Sequence, residues 1–176
     1  MNPYVIAVGA SDSNTTPKTG DDYAAIFTNC GTSSRHIDVL APGRSIISLR
    51  NPGSVADVEH PEARIGDDMF LGSGTSQAAA VVSGAVALIL DAYPKATPDM
   101  VKDALMDTTD PIAAKSYCTQ AGIIDLKEFH EKYQTWQNLE EGTNRQSHGY
   151  ASGVGSLELA RGSHHVEVDG VVLVDE

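Results

Sequence analysis

From Gly72 to Tyr93 the chain reads GSGTSQAAAVVSGAVALILDAY, a turn of small residues that runs directly into a long small-and-aliphatic stretch stopped by Pro94. A stretch apolar on most of its sides reads as a helix in a buried, central position. It predicts a helix from Thr75 to Tyr93 whose first turn carries Ser76. Free backbone N–H groups and the positive end of the helix dipole gather there, and this is how an α/β fold presents a nucleophile. The apolar core of the run, Ala78 to Leu90, is interrupted by Ser83 and Gly84 and is shorter than the roughly 20 residues needed to span a bilayer. It is therefore read as a buried helix and not as a membrane span. Ser76 also has a plainer reading, as a small helix-capping serine. A nucleophilic role needs a base, an orienting group and an oxyanion hole.

The elements around this helix supply a sheet. Tyr4 to Gly9 (YVIAVG) and Ile37 to Leu40 (IDVL) are apolar, β-branched runs suited to buried strands of a parallel sheet, and Ser45 to Leu49 (SIISL) is read as a third. Tyr23 to Phe27 suits a short strand, whereas Asn51 to Asp68, with early prolines and glycines and then mixed charges, is read as a long surface loop. Thr97, Pro98 and Asp99 form an N-cap with proline at the first helical position, opening a second helix to about Asp107 with Val101, Ala104 and Leu105 inward. Gly122 to Leu126 leads into a short helix, Lys127 to Tyr133. Residues 134–155 are polar and aperiodic, a linker. Residues 156–176 form a tail in which Val166–Val168 and Val171–Val174 flank Asp169 and Gly170, a two-residue hairpin signal.

At 176 residues the chain is long enough for one domain with a proper core. Its formal net charge of −12 excludes nucleic acid as a partner, because phosphate binding needs clustered Lys and Arg. Cys30 and Cys118 are compatible with a disulfide or with two free thiols, and their spacing is not that of a metal knuckle. Residues near Met1 contain no secretion signal. His36, His60 and His130 read as surface or core-edge histidines, since none has a glycine-flanked context. Asp38 reads as a cap of the following Ala-Pro-Gly turn, with cation binding as a lesser reading. His164 and His165 have no carboxylate or cysteine at ligand spacing, so no metal is assigned.

Three segments in order, VIAVGAS at Val5 to Ser11, DVLAPG at Asp38 to Gly43 and GSGTSQAAAVVSG at Gly72 to Gly84, resemble the C-terminal part of the catalytic domain of the subtilisin-like serine peptidases, the subtilases. The helix ending at Tyr93 and Pro94, the TPDMVKDALM segment from Thr97 to Met106 and AGIIDLKEF from Ala121 to Phe129 extend the resemblance over residues 3–133. It implies an α/β fold in which a parallel sheet surrounds a central buried helix that begins at the nucleophile, followed here by a C-terminal β-hairpin. It also implies a serine endopeptidase that hydrolyses polypeptides through an acyl-enzyme on Ser76. The Ser76 N–H would be an oxyanion donor, and Gly74, Thr75 and Gln77 would be substrate-contact candidates. Gln77 stands where many members carry Met, and Ala80 and Val81 replace a common Pro-His pair.

In that family the catalytic Asp and His and the oxyanion Asn precede the strand that here begins at Tyr4. Asp12, Asp21, Asp22, Asp38, Asp57, Asp67 and Asp68 lack the Asp-Thr/Ser-Gly context, and His36 and His60 lack the His-Gly-Thr one. The expectation is a fragment over residues 1–133, inactive alone, whose missing groups come from another polypeptide, with one flank of the central helix left uncovered and the sequence continuing beyond Glu176. No cofactor is identified; the calcium sites of the family are expected outside this chain. Family habit implies an extracellular location. A non-catalytic scaffold that keeps the helix and sheet, or a hydrolase of another class using His60 as base, are the competing readings.

Overall fold

In a computed structural model of the chain, residues 4–31, 36–113, 118, 121–138, 166–168 and 171–173 are described. The chain divides into two units, residues 1–146 and residues 147–176. The first is built on a five-stranded sheet. Val8–Asp12 (β1), Val39–Pro42 (β3) and Ile123–Ile124 (β8) run parallel in its centre, with Tyr23–Ala24 (β2) and Thr109–Asp110 (β7) antiparallel at the two edges, in the order β2-β1-β3-β8-β7.

Alternation along β3 splits the core in two. Val39 and Ala41 join Ala10 in a cluster with Ala78 and Val82, whereas Leu40 packs on the opposite face with Ala24, Ile37, Cys118, Ala121 and Ile123. Both faces are therefore covered, as a parallel sheet requires. The first face is covered by Thr75–Ala92 (α2), which packs on β1 and β3, and by Pro98–Asp107 (α3) and Leu126–Lys132 (α4). Thr97 caps α3 as its sequence predicts, its hydroxyl accepting from Met100 N–H at 3.4 Å, with Pro98 in the first turn. Phe129 of α4, Tyr133 at its end, Trp136 and Tyr93 form an aromatic cluster with neighbouring ring centroids 4.7–6.1 Å apart. Cys30 and Cys118 form a disulfide, deciding the question their spacing left open.

Three expectations are corrected. The first strand begins at Val8 and not at Tyr4. Tyr4 and Val5 are exposed, and the Ala7 N–H is taken by a carboxylate, Asp38 Oδ2, at 2.7 Å. The strand at Ile46–Leu49 (β4) is largely exposed and belongs to a separate antiparallel sheet, β4-β6-β5, with Met69–Gly72 (β6) and Arg64–Ile65 (β5). The stretch from Asn51 to Asp68 is not a plain loop, since it holds a helix at Val55–Glu59 (α1), a 3-10 turn at Pro61–Ala63 and β5. The buried Asp57 accepts from Arg50 Nε at 2.6 Å, Arg64 Nε at 2.7 Å and Gly53 N–H at 2.9 Å, and so organises this segment. The helix α2 is buried along one stripe, Ala78, Val82, Ala85 and Ile89.

In the second unit Val166–Val168 (β9) and Val171–Leu173 (β10) pair antiparallel with Val168 opposite Val171, as the hairpin signal predicts. Asp169 and Gly170 lie outside the described residues, as do His164, His165 and most of the segment read as a linker; Gln134–Asn138 within it form a 3-10 turn.

Candidate active site

The turn that carries Ser76 is held to the ends of two parallel strands by backbone hydrogen bonds. Gly43 N–H donates to Ser11 O at 3.2 Å, and Gly74 N–H donates to Gly43 O at 2.8 Å. The contact is close enough to require glycine. A Cβ on Gly43 would come within 2.5 Å of Ala10 Cβ, 2.9 Å of Gly74 O and 3.1 Å of Ala78 Cβ. Ser45 N–H adds a further tie, donating to Ser73 Oγ at 2.8 Å. The Ala41-Pro42-Gly43 turn thus seats the start of α2 on the sheet.

Gly74 is the N-cap of α2 in an extended conformation, and Thr75, Ser76 and Gln77 form the first turn. Their N–H groups lie where a helix has no internal acceptors. An 18-residue helix behind them adds the positive end of its dipole. Ser76 is exposed, and among the described residues no side chain hydrogen-bonds its hydroxyl. Gln77, the substrate-contact candidate beside it, folds back over the turn: a Cβ on Gly74 would lie 2.6 Å from Gln77 Oε1, and one on Gly72 3.1 Å from Nε2. The side-chain amide fills the space that the glycines leave.

The histidines that the sequence sets aside are engaged elsewhere. His60 Nδ1 is 3.0 Å from Glu62 Oε1, His36 Nδ1 is 2.7 Å from Ile37 O, and His130 Nδ1 is 3.2 Å from the Tyr93 hydroxyl. Asp38, read from the sequence as a cap of the Ala-Pro-Gly turn, also reaches away from that turn. It is buried, accepts from Ala7 N–H, and lies 3.2 Å from Lys102 Nζ, which also donates to Val5 O at 3.0 Å. The cation that Asp38 meets is a lysine ammonium from α3.

At the end of β1 the buried Asp12 is paired with Arg44, which directly follows the Gly43 contact. Burial opposes ionisation of Asp12, but hydrogen bonds from Tyr23, Arg44 and the Asn14 backbone outweigh it and hold its carboxyl below the ordinary range. Nothing in the spacing of residues 12 and 44 announces this clamp, and it is not legible in the sequence. The helix α1 also escaped, although the Ser54-to-Asp57 spacing is a usable signal for it: Ser54 Oγ accepts from Asp57 N–H at 3.2 Å. Among the described residues Asp110, Asp125 and Glu128 place carboxylate oxygens within 4.8 Å of one another, with Asp125 already serving as the N-cap acceptor of α4.

A family model described as the subtilase family matches residues 2–155. The chain is 44% identical over 113 residues to serine protease AprX of Bacillus subtilis, covering 62% of this chain and 26% of that protein. It is 38% identical over 111 residues to an extracellular serine proteinase of a Thermus species, covering 63% and 22%. It therefore spans about a quarter of the length of these curated relatives. Among solved structures, fervidolysin from Fervidobacterium pennivorans, a keratinolytic enzyme related to subtilisin, superposes with a TM-score of 0.57 at 27% identity, over 73% of this chain and 19% of that one. A protease from Pseudoalteromonas arctica superposes with a TM-score of 0.56 at 29% identity, over 74% and 36%.

Proposed function

We propose that this chain, which belongs to the subtilase family, carries the nucleophile of a serine endopeptidase whose base and orienting carboxylate are supplied by polypeptide outside these 176 residues. The observation that carries the reading is the placement of Ser76. It is exposed in the first turn of α2, on a turn tied to β3 through the Gly74-to-Gly43 hydrogen bond.

In this reading Ser76 Oγ adds to the carbonyl carbon of a peptide bond and its proton passes to the supplied base. The oxyanion is met by the Ser76 N–H, backed by the helix dipole. The tetrahedral species expels the amine, which leaves with that proton, and water then hydrolyses the acyl ester. Gly74 and Thr75 line the approach to the carbonyl. Without the base the chain alone is inactive, since removing the serine or histidine of a triad costs on the order of a millionfold in turnover in subtilisin. The disulfide is consistent with a secreted location, because such bonds persist in oxidising compartments.

The test is labelling by a fluorophosphonate, which reacts with activated serines. The isolated chain is expected to remain unlabelled. The same chain joined to the polypeptide encoded upstream of Met1 is expected to be labelled at Ser76, and Ser76→Ala to abolish it. Labelling of the isolated chain at Ser76 would overturn the division of the triad and point to an internal base such as His60. An upstream sequence with neither an Asp-Thr/Ser-Gly nor a His-Gly-Thr segment would remove the reading.

A further inference from the structure

The small antiparallel sheet that leads into the nucleophile turn has two unlike faces. Ile47 pairs with Leu71, Leu49 with Met69, and Met69 with Ile65. Directly paired residues project to the same side of a sheet, so Ile47, Leu49, Ile65, Met69 and Leu71 form one continuous face without a polar residue. The other face carries Ile46, Ser48, Arg64, Phe70 and Gly72, and Gly72 on it looks toward the Gln77 side chain of α2. The apolar face is therefore the outer one. Leu49 is 81% exposed, Ile47 55%, Ile65 41% and Leu71 37%. Apolar side chains scattered singly on a surface need no explanation, but a contiguous face does.

We infer that this outer face docks a basic amphipathic segment of a protein partner, about two helical turns long, apolar on one side and carrying Lys or Arg at its margins. Size and charge lead to this occupant. Three strands at about 4.8 Å spacing give a face about 10 Å wide, the diameter of one helix. Each strand has two to four residues, which at about 3.3 Å per residue gives a length near 13 Å, or a little over two helical turns.

The rim is acidic. Arg44 is paired with Asp12, while Arg50 and Arg64 share the single charge of Asp57 and Arg50 also lies within electrostatic reach of Asp67 and Asp68, so the five acidic groups of residues 50–68 outnumber its two arginines. Glu59, Glu62, Asp67 and Asp68 stay exposed in the segments that join these strands, with Glu62 meeting His60. An acidic rim attracts a basic segment. It opposes a second copy of a chain whose net charge is −12. Five side chains also fall well short of the roughly 20–30 residues a side in a stable dimer interface.

The test is binding of two labelled helical peptides to the purified chain, one with Leu on one face and Lys at its margins, the other with Glu in place of Lys, read by fluorescence anisotropy. The Leu/Lys peptide is expected to bind at least tenfold more tightly than the Leu/Glu peptide. Ile47→Ser/Leu49→Ser is expected to lose at least tenfold of that affinity with an unchanged far-ultraviolet spectrum, and Asp67→Asn/Asp68→Asn to weaken binding and flatten its salt dependence. Ser76→Ala should bind like the parent, which keeps this inference separate from the catalytic one. Equal binding of the two peptides, retention of affinity in the Ile47/Leu49 variant, or a dimer in sedimentation that the same variant dissolves would each overturn it.

Discussion

Removing the Cys30–Cys118 bond is the perturbation whose magnitude follows most directly from the fold. The two residues are 88 positions apart, so the bond closes a loop that includes β3, the β4-β6-β5 sheet, α2, α3 and β7. In the chain-entropy description, opening a loop of that length returns about 15 cal/mol/K to the unfolded chain, or about 4.6 kcal/mol at 25 °C. Cys118 is also 3% exposed and packs with Leu40, Ile37 and Ile123, so the bond is anchored on one face of the sheet. Against the roughly 5–15 kcal/mol typical of whole domains, this is a large share. Trp136, the single tryptophan, sits against Tyr93 and Phe129 and reports unfolding by fluorescence. With a urea slope of about 1–3 kcal/mol/M, Cys30→Ala/Cys118→Ala should lower the midpoint by about 1.5–4.6 M. Reduction of the parent chain by dithiothreitol should do the same. A shift below about 0.5 M in both experiments would refute the reasoning, because the bond would then not constrain the unfolded chain. A large shift in the variant alone would trace the effect to packing at Cys118.

Lys102→Met removes the ammonium that meets the buried Asp38 carboxylate at 3.2 Å and is expected to cost about 3–5 kcal/mol; adding Asp38→Asn should recover part of the loss in urea titrations. Gly43→Ala places a methyl 2.5 Å from Ala10 Cβ and 2.9 Å from Gly74 O. It should cost about 1–3 kcal/mol as overpacking does, and should lower fluorophosphonate labelling of the completed enzyme more than an equal loss of stability elsewhere. Asp12 has a folded pKa below its unfolded one, despite burial, through Tyr23 and Arg44. Its contribution is therefore full above the ordinary carboxylate value of about 3.9 and is lost as pH falls through the folded value; Asp12→Asn should lower the midpoint at pH 6, with the difference from the parent shrinking progressively as pH falls below the ordinary carboxylate value. Asp22 has the opposite sign: burial, with Asp21, Asp12 and Asp110 nearby, raises its pKa, and its Oδ1 is buried without a hydrogen-bond partner among the described residues. Asp22→Asn should raise the midpoint at neutral pH, with the gain shrinking as pH falls toward 4.

The elements legible in the sequence are those whose signals are local. The Thr97-Pro98 cap, the stop at Pro94, the helix opening at Thr75 and the Asp169-Gly170 hairpin each depend on a few adjacent residues, and the elements observed there match. What escaped depends on partners far along the chain. Asp38 looks like a turn cap, and nothing local announces Lys102, 64 positions later, which supplies its ammonium. SIISL has the composition of a buried strand, and only its pairing with β6 in a separate sheet leaves Ile47 and Leu49 in solvent. The Ala-Pro-Gly turn was legible as a motif, but the reason for its glycine is a contact with Gly74 and Ala78 that only the folded chain brings together.

The uneven burial of α2 ties these findings to the proposed function. Ala78, Val82, Ala85 and Ile89 face the sheet at intervals of three and four residues, one stripe of the helix. A helix that needed only that stripe would carry polar residues on its other sides. Instead Ala80, Gly84, Ala87, Leu88, Leu90 and Ala92 are exposed, with Ser83 and Asp91 the polar residues interspersed among them, and Leu88 is among the most exposed apolar side chains described. Small residues at 80, 84 and 87 are suited to close approach by another backbone, and large ones at 88 and 90 to filling a groove. Such a composition is costly in water and is satisfied when a second packing layer covers it. In the proposed reading, the polypeptide that supplies the base would also cover this side of α2, the helix whose first turn presents Ser76.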